Sequence, residues 1–473
     1  MTVSTPATVS PGRLPVAPLR FDRAAVTPGI LHFGFGAFHR AHQAAYLNAL
    51  MNEGLALDWG IVGVNVLPQD QRMHEVMLAQ DCRYTQVLKH ADGQLEAHAI
   101  GSVVEHLHAP DDPASVIERL ADPRIRIVSL TITEGGYEID PATGLFEPTS
   151  EGVLADLRGL PLGEAPLSVF GFLVAGLRER RARGIRPFTV LSCDNVQSNG
   201  QVARTSLVAF ARAVDPALAE WIADEVVFPN TMVDRITPIT TDDDRMLVRE
   251  VFGVDDAWPV VAEPFAQWVI EDRFALGRPP FERVGAQFAA EVAPYETMKL
   301  RLLNASHQAL AHPSSLLGHM LVDEAMADPD VVALLRAYFA EALPTLPPVP
   351  GVDLAAYCET LLERYSNPGV RDTVERLAMD AENRLATFLL PVVRDLLAAG
   401  RPINASATVL AAHLERSRAA APAAATAELE QVVRSTAFFG ELTVDPAFTG
   451  PVVATWALVR AEGVRETLRR MTV

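Results

Sequence analysis

The chain has 473 residues, too many for one hydrophobic core, and with 49% apolar residues two domains can both be well packed. Its formal charge of −19 and pI near 5.1 argue against nucleic acid or an anionic membrane as the main binding surface. Three scattered cysteines, Cys82, Cys193 and Cys358, form no CxxC pair, which speaks against a disulfide framework or a structural zinc site and makes a reducing cytoplasm the default.

In chain order, residues 1–19 are rich in Pro, Ser and Thr, lack a basic start and an apolar segment, and read as a flexible arm rather than a signal peptide. From residue 20 to 286, short β-branched runs alternate with helical patterns, the signature of a parallel sheet covered on both faces. The clearest strands are 30–33, 60–64, 125–132 and 188–192; helical patterns follow at 42–52, 70–79, 152–157 with 169–183, and 201–214. This predicts an α/β, doubly wound, Rossmann-type domain. The longest apolar stretch, 169–177, is too short to span a bilayer. From Pro294 long amphipathic patterns take over, at 295–311, 331–342, 354–365, 370–379, 388–399 and 426–435, so a mostly helical second domain is assigned to 287–473. Arg418–Ala427 is alanine-rich and reads as a helix or a loose surface connection.

The first strand ends in Gly34-Phe35-Gly36-Ala37-Phe38-His39-Arg40-Ala41-His42. Two glycines there permit a tight turn and close approach to a pyrophosphate, although His39 occupies the place of the usual third glycine. Asp70, beyond the second strand, is the nearest carboxylate for ribose hydroxyls; helix capping is its plainer alternative. Thr133 and Glu134 follow the third strand and Asp194-Asn195 the fourth, on the edge where open α/β sheets bind ligands, and Asn195 has an amide suited to an alkoxide. Thr231-Met-Val233-Asp234-Arg235 is a third such loop. His39 with His42, and His106 with His108, lack a third ligand in metal spacing and read as core or surface histidines.

Glu296, Lys299, Asn304 and His307 place an acid, a base, an amide and an imidazole on one predicted helix. On an ideal α-helix with Glu296 at zero, Lys299 falls at about 300°, Asn304 at about 80° and His307 at about 20°, an arc of about 140° shared with leucines. A lysine buried there is expected to shift towards neutrality, able to take a proton from an alcohol.

Together these motifs resemble the mannitol dehydrogenase family of polyol-specific long-chain dehydrogenases and reductases. The resemblance spans the chain through 34–43, 129–137, 192–195, 232–238, Lys299-x4-Asn304-x2-His307 and Arg364-Tyr-Ser-Asn367. It implies a Rossmann-type domain, a helical C-terminal domain and a metal-free site in the cleft between them. It implies Lys299 as general base, Asn195 and Asn304 as the oxyanion pair, His307 orienting the hydroxyl and Glu296 relaying the proton. Asp234, Val233, Arg376 and Arg384 would bind substrate; Gly34, Phe35, Gly36, Ala37, Phe38, Asp70, Thr133 and Glu134 would bind the cofactor, with NAD favoured over NADP. Gln69 stands where an acid often accompanies Asp70, Arg384 where a lysine is common, and Pro313-Ser314 is expected to interrupt a longer helix. The tail after Ala411 looks shortened. The runs 255–261 and 348–353 look most like those of mannitol 2-dehydrogenases, so the expected reaction interconverts D-mannitol and D-fructose. Fructuronate or tagaturonate reductase and D-arabinitol dehydrogenase are alternatives on the same scaffold, and a nucleotide-sensing protein without catalysis is the rival from another class. The expected partner is a small polyol or ketose, with no nucleic acid or membrane; family resemblance favours a monomer and leaves a small homo-oligomer open.

Overall fold

The computed structural model describes residues 13–140, 143–417 and 426–471. These form two compact units, one of residues up to His90 with Gln94–Ala293, the other of Ala91–Gly93 with Pro294 onward. The change of pattern at Pro294 coincides with that boundary, whereas residue 287 lies in a strand of the first unit.

Among the described residues the first unit holds twelve strands: β1 Val16–Ala17, β2 Pro28–Phe33, β3 Gly60–Asn65, β4 Tyr84–Lys89, β5 Leu95–Ile100, β6 Val103–His108, β7 Ile127–Leu130, β8 Thr189–Ser192, β9 Thr231–Asp234, β10 Val260–Ala262, β11 Gln267–Glu271 and β12 Gln287–Ala289. Five of them make a wholly parallel sheet in the order β6-β3-β2-β7-β8. Successive residues point to opposite faces, and both faces are buried. Leu31, Val62, Val128 and Val190 pack under helices Pro113–Ala121, Val169–Ala182 and Asn199–Val214, while Ile30, Ile61, Ile127 and Leu191 pack with helices Gln43–Asn52 and Gln71–Ala79. This is why the strands read as continuous apolar runs, and it makes the sheet doubly wound. The chain leaves β2 towards β3 on one side and β7 on the other, so a topological switch point lies at the carboxyl end of β2.

Two smaller sheets, β1-β5-β4-β10 and β12-β11-β9, flank this core and were not read from the sequence. Part of the expected N-terminal arm belongs to one of them: Val16–Ala17 pairs with β5 and the Leu14 amide donates to the Val251 carbonyl, at 2.9 Å. Residues 1–12 of that arm, and most of the alanine-rich tract at 418–425, lie outside the described residues.

In the second unit a continuous helical rod, Ala293–Leu317, is surrounded by Pro329–Ala342, Val374–Ala378 and Asn404–Ser417. Pro313 does not break it: helix Ala305–Leu317 runs through the proline to an end at Gly318, whose φ of +86° suits glycine. Helices Leu354–Tyr365, Leu390–Ala398, Thr426–Ser435, Pro446–Glu462 and Val464–Met471 also belong to the unit. Among the described residues no single helix is long and apolar enough to cross a membrane; one pair, bent by 116° between Ala437–Val444 and Pro446–Glu462, reaches that composition.

Candidate active site

The turn after β2 is built for close backbone approach. Gly34 has φ +87°, and a Cβ there would lie 2.0 Å from the Thr131 carbonyl oxygen. Only glycine fits both conditions. Its own carbonyl accepts a 2.8 Å hydrogen bond from the Thr131 hydroxyl, which ties the turn to the end of β7. Gly36 differs: at φ −94° a Cβ would meet nothing nearer than the Gly34 carbonyl oxygen, at 3.7 Å. The protein itself therefore leaves room at Gly36, at the N-terminus of the short helix Ala37–Ala41. Room of that kind beside free helix amides fits a dinucleotide pyrophosphate.

His39 and Arg40, further along, are buried in the packing of the domain. His39 is fully buried and stacks on His32 of β2 with ring centroids 3.3 Å apart, filling the helix–strand gap that a third glycine would close. Desolvation holds the His32 pKa down at about 3 and that of His39 well below its ordinary value, so both rings stack as neutral imidazoles. Arg40, also fully buried, donates to the Trp258 carbonyl, and Arg235 donates to the Ala41 carbonyl at 2.7 Å, bracing the same short helix. Among the described residues no group of three or more His, Cys, Asp or Glu side chains is arranged for a metal ion.

Asp70 ends a short turn after β3, and its side chain makes no capping hydrogen bond to the helix it precedes. The plainer capping role is thus not taken up. Thr133 and Glu134, exposed, follow β7; Asn195, also exposed, follows β8, so all of these stand at the carboxyl edge of the same sheet. Thr133 has φ +64° and ψ 165°, a region that is close to glycine-only and costs on the order of 1–3 kcal/mol. Asp194 holds it there. One carboxylate oxygen accepts from the Thr133 amide at 2.8 Å; the other accepts from the Ile132 amide at 3.0 Å and the Tyr137 hydroxyl at 2.6 Å. Burial raises the Asp194 pKa, and these three bonds pull against that rise. Val233 and Asp234, both buried, end β9.

In the second unit the rod carrying Lys299 is not uniformly α-helical. Lys299–Asn304 forms a π segment, in which the Ala305 amide donates to the carbonyl of Leu300, five residues back. One extra residue in a turn sets everything beyond it back by about 100°, which moves Asn304 to about 340° and His307 to about 280°. Glu296, Lys299, Asn304 and His307 then share an arc of about 80°, narrower than the straight helix of the sequence reading allowed. Glu296 and Lys299 are buried and the other two half-buried.

Tyr365 lies beside this face, its ring centroid 5.0 Å from that of His307 and its hydroxyl 2.7 Å from Ser306 Oγ. That gives the Arg364-Tyr-Ser-Asn367 motif a place. Arg376 is ion-paired with Asp372 through Nε at 2.6 Å and through Nη2. Arg384 turns to backbone, its Nη1 donating to the carbonyls of both Arg376 and Leu377, at 3.3 and 3.1 Å. The Leu377 carbonyl also accepts from Gln308, the residue after His307, at 3.0 Å.

The mannitol dehydrogenase Rossmann-domain pattern matches residues 28–283, and the mannitol dehydrogenase C-terminal-domain pattern matches 291–459. The chain belongs to the mannitol dehydrogenase family. It is 47% identical over 381 residues to a mannitol 2-dehydrogenase of Cereibacter sphaeroides, covering 80% of this chain and 79% of that one. An Aspergillus clavatus mannitol 2-dehydrogenase is 40% identical over 94% of this chain and 93% of its own. Among solved structures, the Pseudomonas fluorescens mannitol 2-dehydrogenase in ternary complex with NAD and D-mannitol has a TM-score of 0.84 at 40% identity, covering 98% and 97% of the two chains. A D-sorbitol dehydrogenase in substrate-free form has a TM-score of 0.88 at 36% identity, over 96% and 97%.

Sequence reasoning within this mannitol dehydrogenase family frame left four residues without a role: Asp194, Tyr137, Asn199 and Tyr365. Two had a signal. Asp194 sits in Ser192-Cys-Asp-Asn195 and Tyr365 in Arg364-Tyr-Ser-Asn367, both motifs noted for the family. Asn199 had none, since its partner Thr231 is 32 residues away.

Proposed function

We propose that this chain is an NAD-dependent, metal-independent polyol dehydrogenase that interconverts D-mannitol and D-fructose at the C2 carbinol. Family membership, the mannitol 2-dehydrogenases at 40–47% identity and the relative solved with NAD and D-mannitol support the reaction class. The observation that carries the assignment of roles is the π turn, which gathers base, amide, imidazole and acid onto one narrow helical face.

In this reading Lys299 takes the C2 hydroxyl proton and Glu296 passes it towards solvent. Asn195 and Asn304 donate to the alkoxide-like oxygen, each worth about 3–4 kcal/mol of transition-state stabilisation. His307, braced by Tyr365, orients the hydroxyl. NAD, when bound, supplies the hydride acceptor; the Gly34–Phe38 turn, Asp70, Thr133 and Glu134 hold it. Asp234, Val233 and Arg376 face the outer hydroxyls, with the Arg376 guanidinium oriented by Asp372. Arg384 acts one step back, through the carbonyls it binds.

The likeness to a D-sorbitol dehydrogenase favours sorbitol as the second reading. Mannitol and sorbitol both give D-fructose on oxidation at C2 and differ only in the configuration there, so the product of fructose reduction separates them. With NADH and D-fructose the expected product is D-mannitol, while D-fructuronate is reduced far more slowly. Sorbitol as product, or faster turnover of fructuronate, replaces the substrate assignment. Lys299→Ala is expected to abolish turnover while NADH still binds, and prolonged chelation to leave the rate unchanged; turnover near the parent's in the variant, or loss of activity restored by zinc, refutes the mechanism.

A further inference from the structure

Two loops at the carboxyl edge of the parallel sheet and strand β9 of a neighbouring sheet, read from the sequence as a third such loop, are tied together by one buried network. The Asp194 carboxylate binds the amides of Ile132 and Thr133 and the hydroxyl of Tyr137. The Tyr137 hydroxyl is 2.6 Å from Ser192 Oγ, on the strand that delivers Asn195. The Ser192 carbonyl accepts from the Thr231 hydroxyl at 2.7 Å, and Thr231 begins the strand that ends in Val233 and Asp234. Asn199 closes the circuit: its amide nitrogen donates to the carbonyls of Asp194 and Thr231, at 3.1 and 3.0 Å, and its oxygen accepts from the Thr231 amide at 2.9 Å.

Tyr137, Ser192, Asn199 and Thr231 are all at least 98% buried and Asp194 is 8% exposed, so the bonds among these five side chains are shielded from bulk water, while the two amide bonds to Ile132 and the exposed Thr133 are part-buried. Each of the three segments carries a different part of the proposed site: Thr133 and Glu134 for the cofactor, Asn195 for the alkoxide, Val233 and Asp234 for the substrate. Capping does not account for the Asp194 carboxylate, because its acceptors go to the 131–137 loop and not to helix Asn199–Val214.

We infer that Asp194, seconded by Asn199, is a positioning residue that holds the strained cofactor loop at Thr133 in register with the neighbouring oxyanion amide of Asn195. The strain explains why a carboxylate is needed there. Thr133 keeps its glycine-only conformation against its own side chain, and a persistent outlier requires surroundings that over-determine it. Two amide N–H groups and a hydroxyl converge on one carboxylate, which accepts at both oxygens without presenting any donor. An asparagine would turn an NH2 group towards an N–H whichever way it faced. The loop would then relax, and Asn195 is the next residue in the chain.

The proposal rests on the dehydrogenase reading above and on the role given there to Asn195. The test compares Asp194→Asn, Tyr137→Phe and Thr133→Gly, singly and with Asp194→Asn and Thr133→Gly combined, in the full-length enzyme. Asp194→Asn is expected to lower kcat by about 100-fold, the usual consequence of roughly 1 Å of misplacement. It should raise KM for NAD and enlarge the deuterium isotope effect on C2-deuterated mannitol, because hydride transfer becomes rate-limiting. Tyr137→Phe, which deletes one of the three bonds at nearly constant volume, should shift the same quantities less. Glycine at 133 removes the strain that Asp194 holds in check, so the penalty of Asp194→Asn must shrink in the Thr133→Gly background. An equal penalty in both backgrounds overturns the proposal. So does a variant whose melting temperature falls while kcat, KM and isotope effect per folded molecule stay at parental values. Asn195→Ala separates the layers: parental turnover there refutes the role given to Asn195 but not the coupling of Asp194 to Thr133, which the cycle measures by itself.

Discussion

Replacing Gly34 by alanine and, separately, Gly36 by alanine tests the turn after β2 with one chemical change made in two environments. At Gly34 the added Cβ would sit 2.0 Å from the Thr131 carbonyl oxygen and 2.8 Å from its carbon, in a backbone with φ +87°. The left-handed conformation costs about 1–2 kcal/mol, overpacking against backbone about 1–3, and loss of the Thr131–Gly34 hydrogen bond about 1, so Gly34→Ala should destabilise by about 3–6 kcal/mol. In a unit of this size that lowers the melting temperature by roughly 10 °C. At Gly36 the new methyl meets only the Gly34 carbonyl oxygen at 3.7 Å, with φ at −94°, so the fold should not register it. The space it fills is the space assigned to the pyrophosphate. NADH titration by fluorescence should therefore show affinity for the dinucleotide falling by about tenfold or more, equivalent to about 1.4 kcal/mol, at an unchanged melting temperature. If Gly36→Ala binds NADH like the parent, the turn does not cradle the dinucleotide. If Gly34→Ala melts like the parent, the close-approach argument is wrong.

Acid should destabilise the protein well above the usual carboxylate range. Burial holds His32 and His106 at pKa values of about 3, against 6.5 when unfolded, so their contribution is intact above pH 6.5 and is lost as pH falls towards 3, where only the unfolded chain takes up the protons. From pH 7 to pH 5 the two together remove about 4 kcal/mol, opposed in part by Asp156, Asp194 and Glu341, whose pKa values burial raises. Urea midpoints at both pH values, in the parent and in His32→Gln, check this; an equal pH slope in the two proteins refutes it. Arg384→Lys should raise KM for the polyol by severalfold with little change in kcat, because a lysine ammonium does not reproduce the planar guanidinium whose Nη1 is shared between the carbonyls of Arg376 and Leu377. A kcat collapse at unchanged KM would instead place Arg384 at the reacting carbon.

What could be read from the sequence was governed by the distance over which each feature is determined. The strands of the parallel sheet are buried on both faces, so Gly60-Ile-Val-Gly-Val64 announces itself in five residues. β4 and β5 carry Gln86, Lys89, Glu96 and His98 and are completed by β10, which pairs with β4 some 174 residues downstream from Gln86 to Val260, so no local window contained them. Lys299, Asn304 and His307 were legible as a set because polar residues among leucines stand out. Their geometry was not, since a π turn leaves no mark in residue type and the sequence reading assumed an even 100° step. Pro313 misled in the other direction: a proline rule for isolated helices was overridden by burial of the whole surrounding rod. Arg384 was read as a group facing substrate; the sequence did not show that its Nη1 also bonds the carbonyls of Arg376 and Leu377.

The places where local rules are broken coincide with the places where chemistry is proposed. A threonine adopts a glycine conformation at 133, a histidine replaces a glycine at 39, and an α-helix widens at 299–304. Each exception has a specific restraint: Asp194 for Thr133, the His32 ring for His39, and for the widened turn the bond from the Tyr338 hydroxyl to the Arg301 carbonyl inside it. An exception without restraint would relax, and one with a restraint but no use would gain nothing from its cost. It follows that substitutions meant to change the polyol should fall on Asp234, Val233 and Arg376, which meet the outer hydroxyls in the proposed reading. Changes to Asp194, Tyr137 or the π turn should alter the rate with every polyol alike, because in the same proposed reading they set the geometry at the carbinol carbon that all such substrates share.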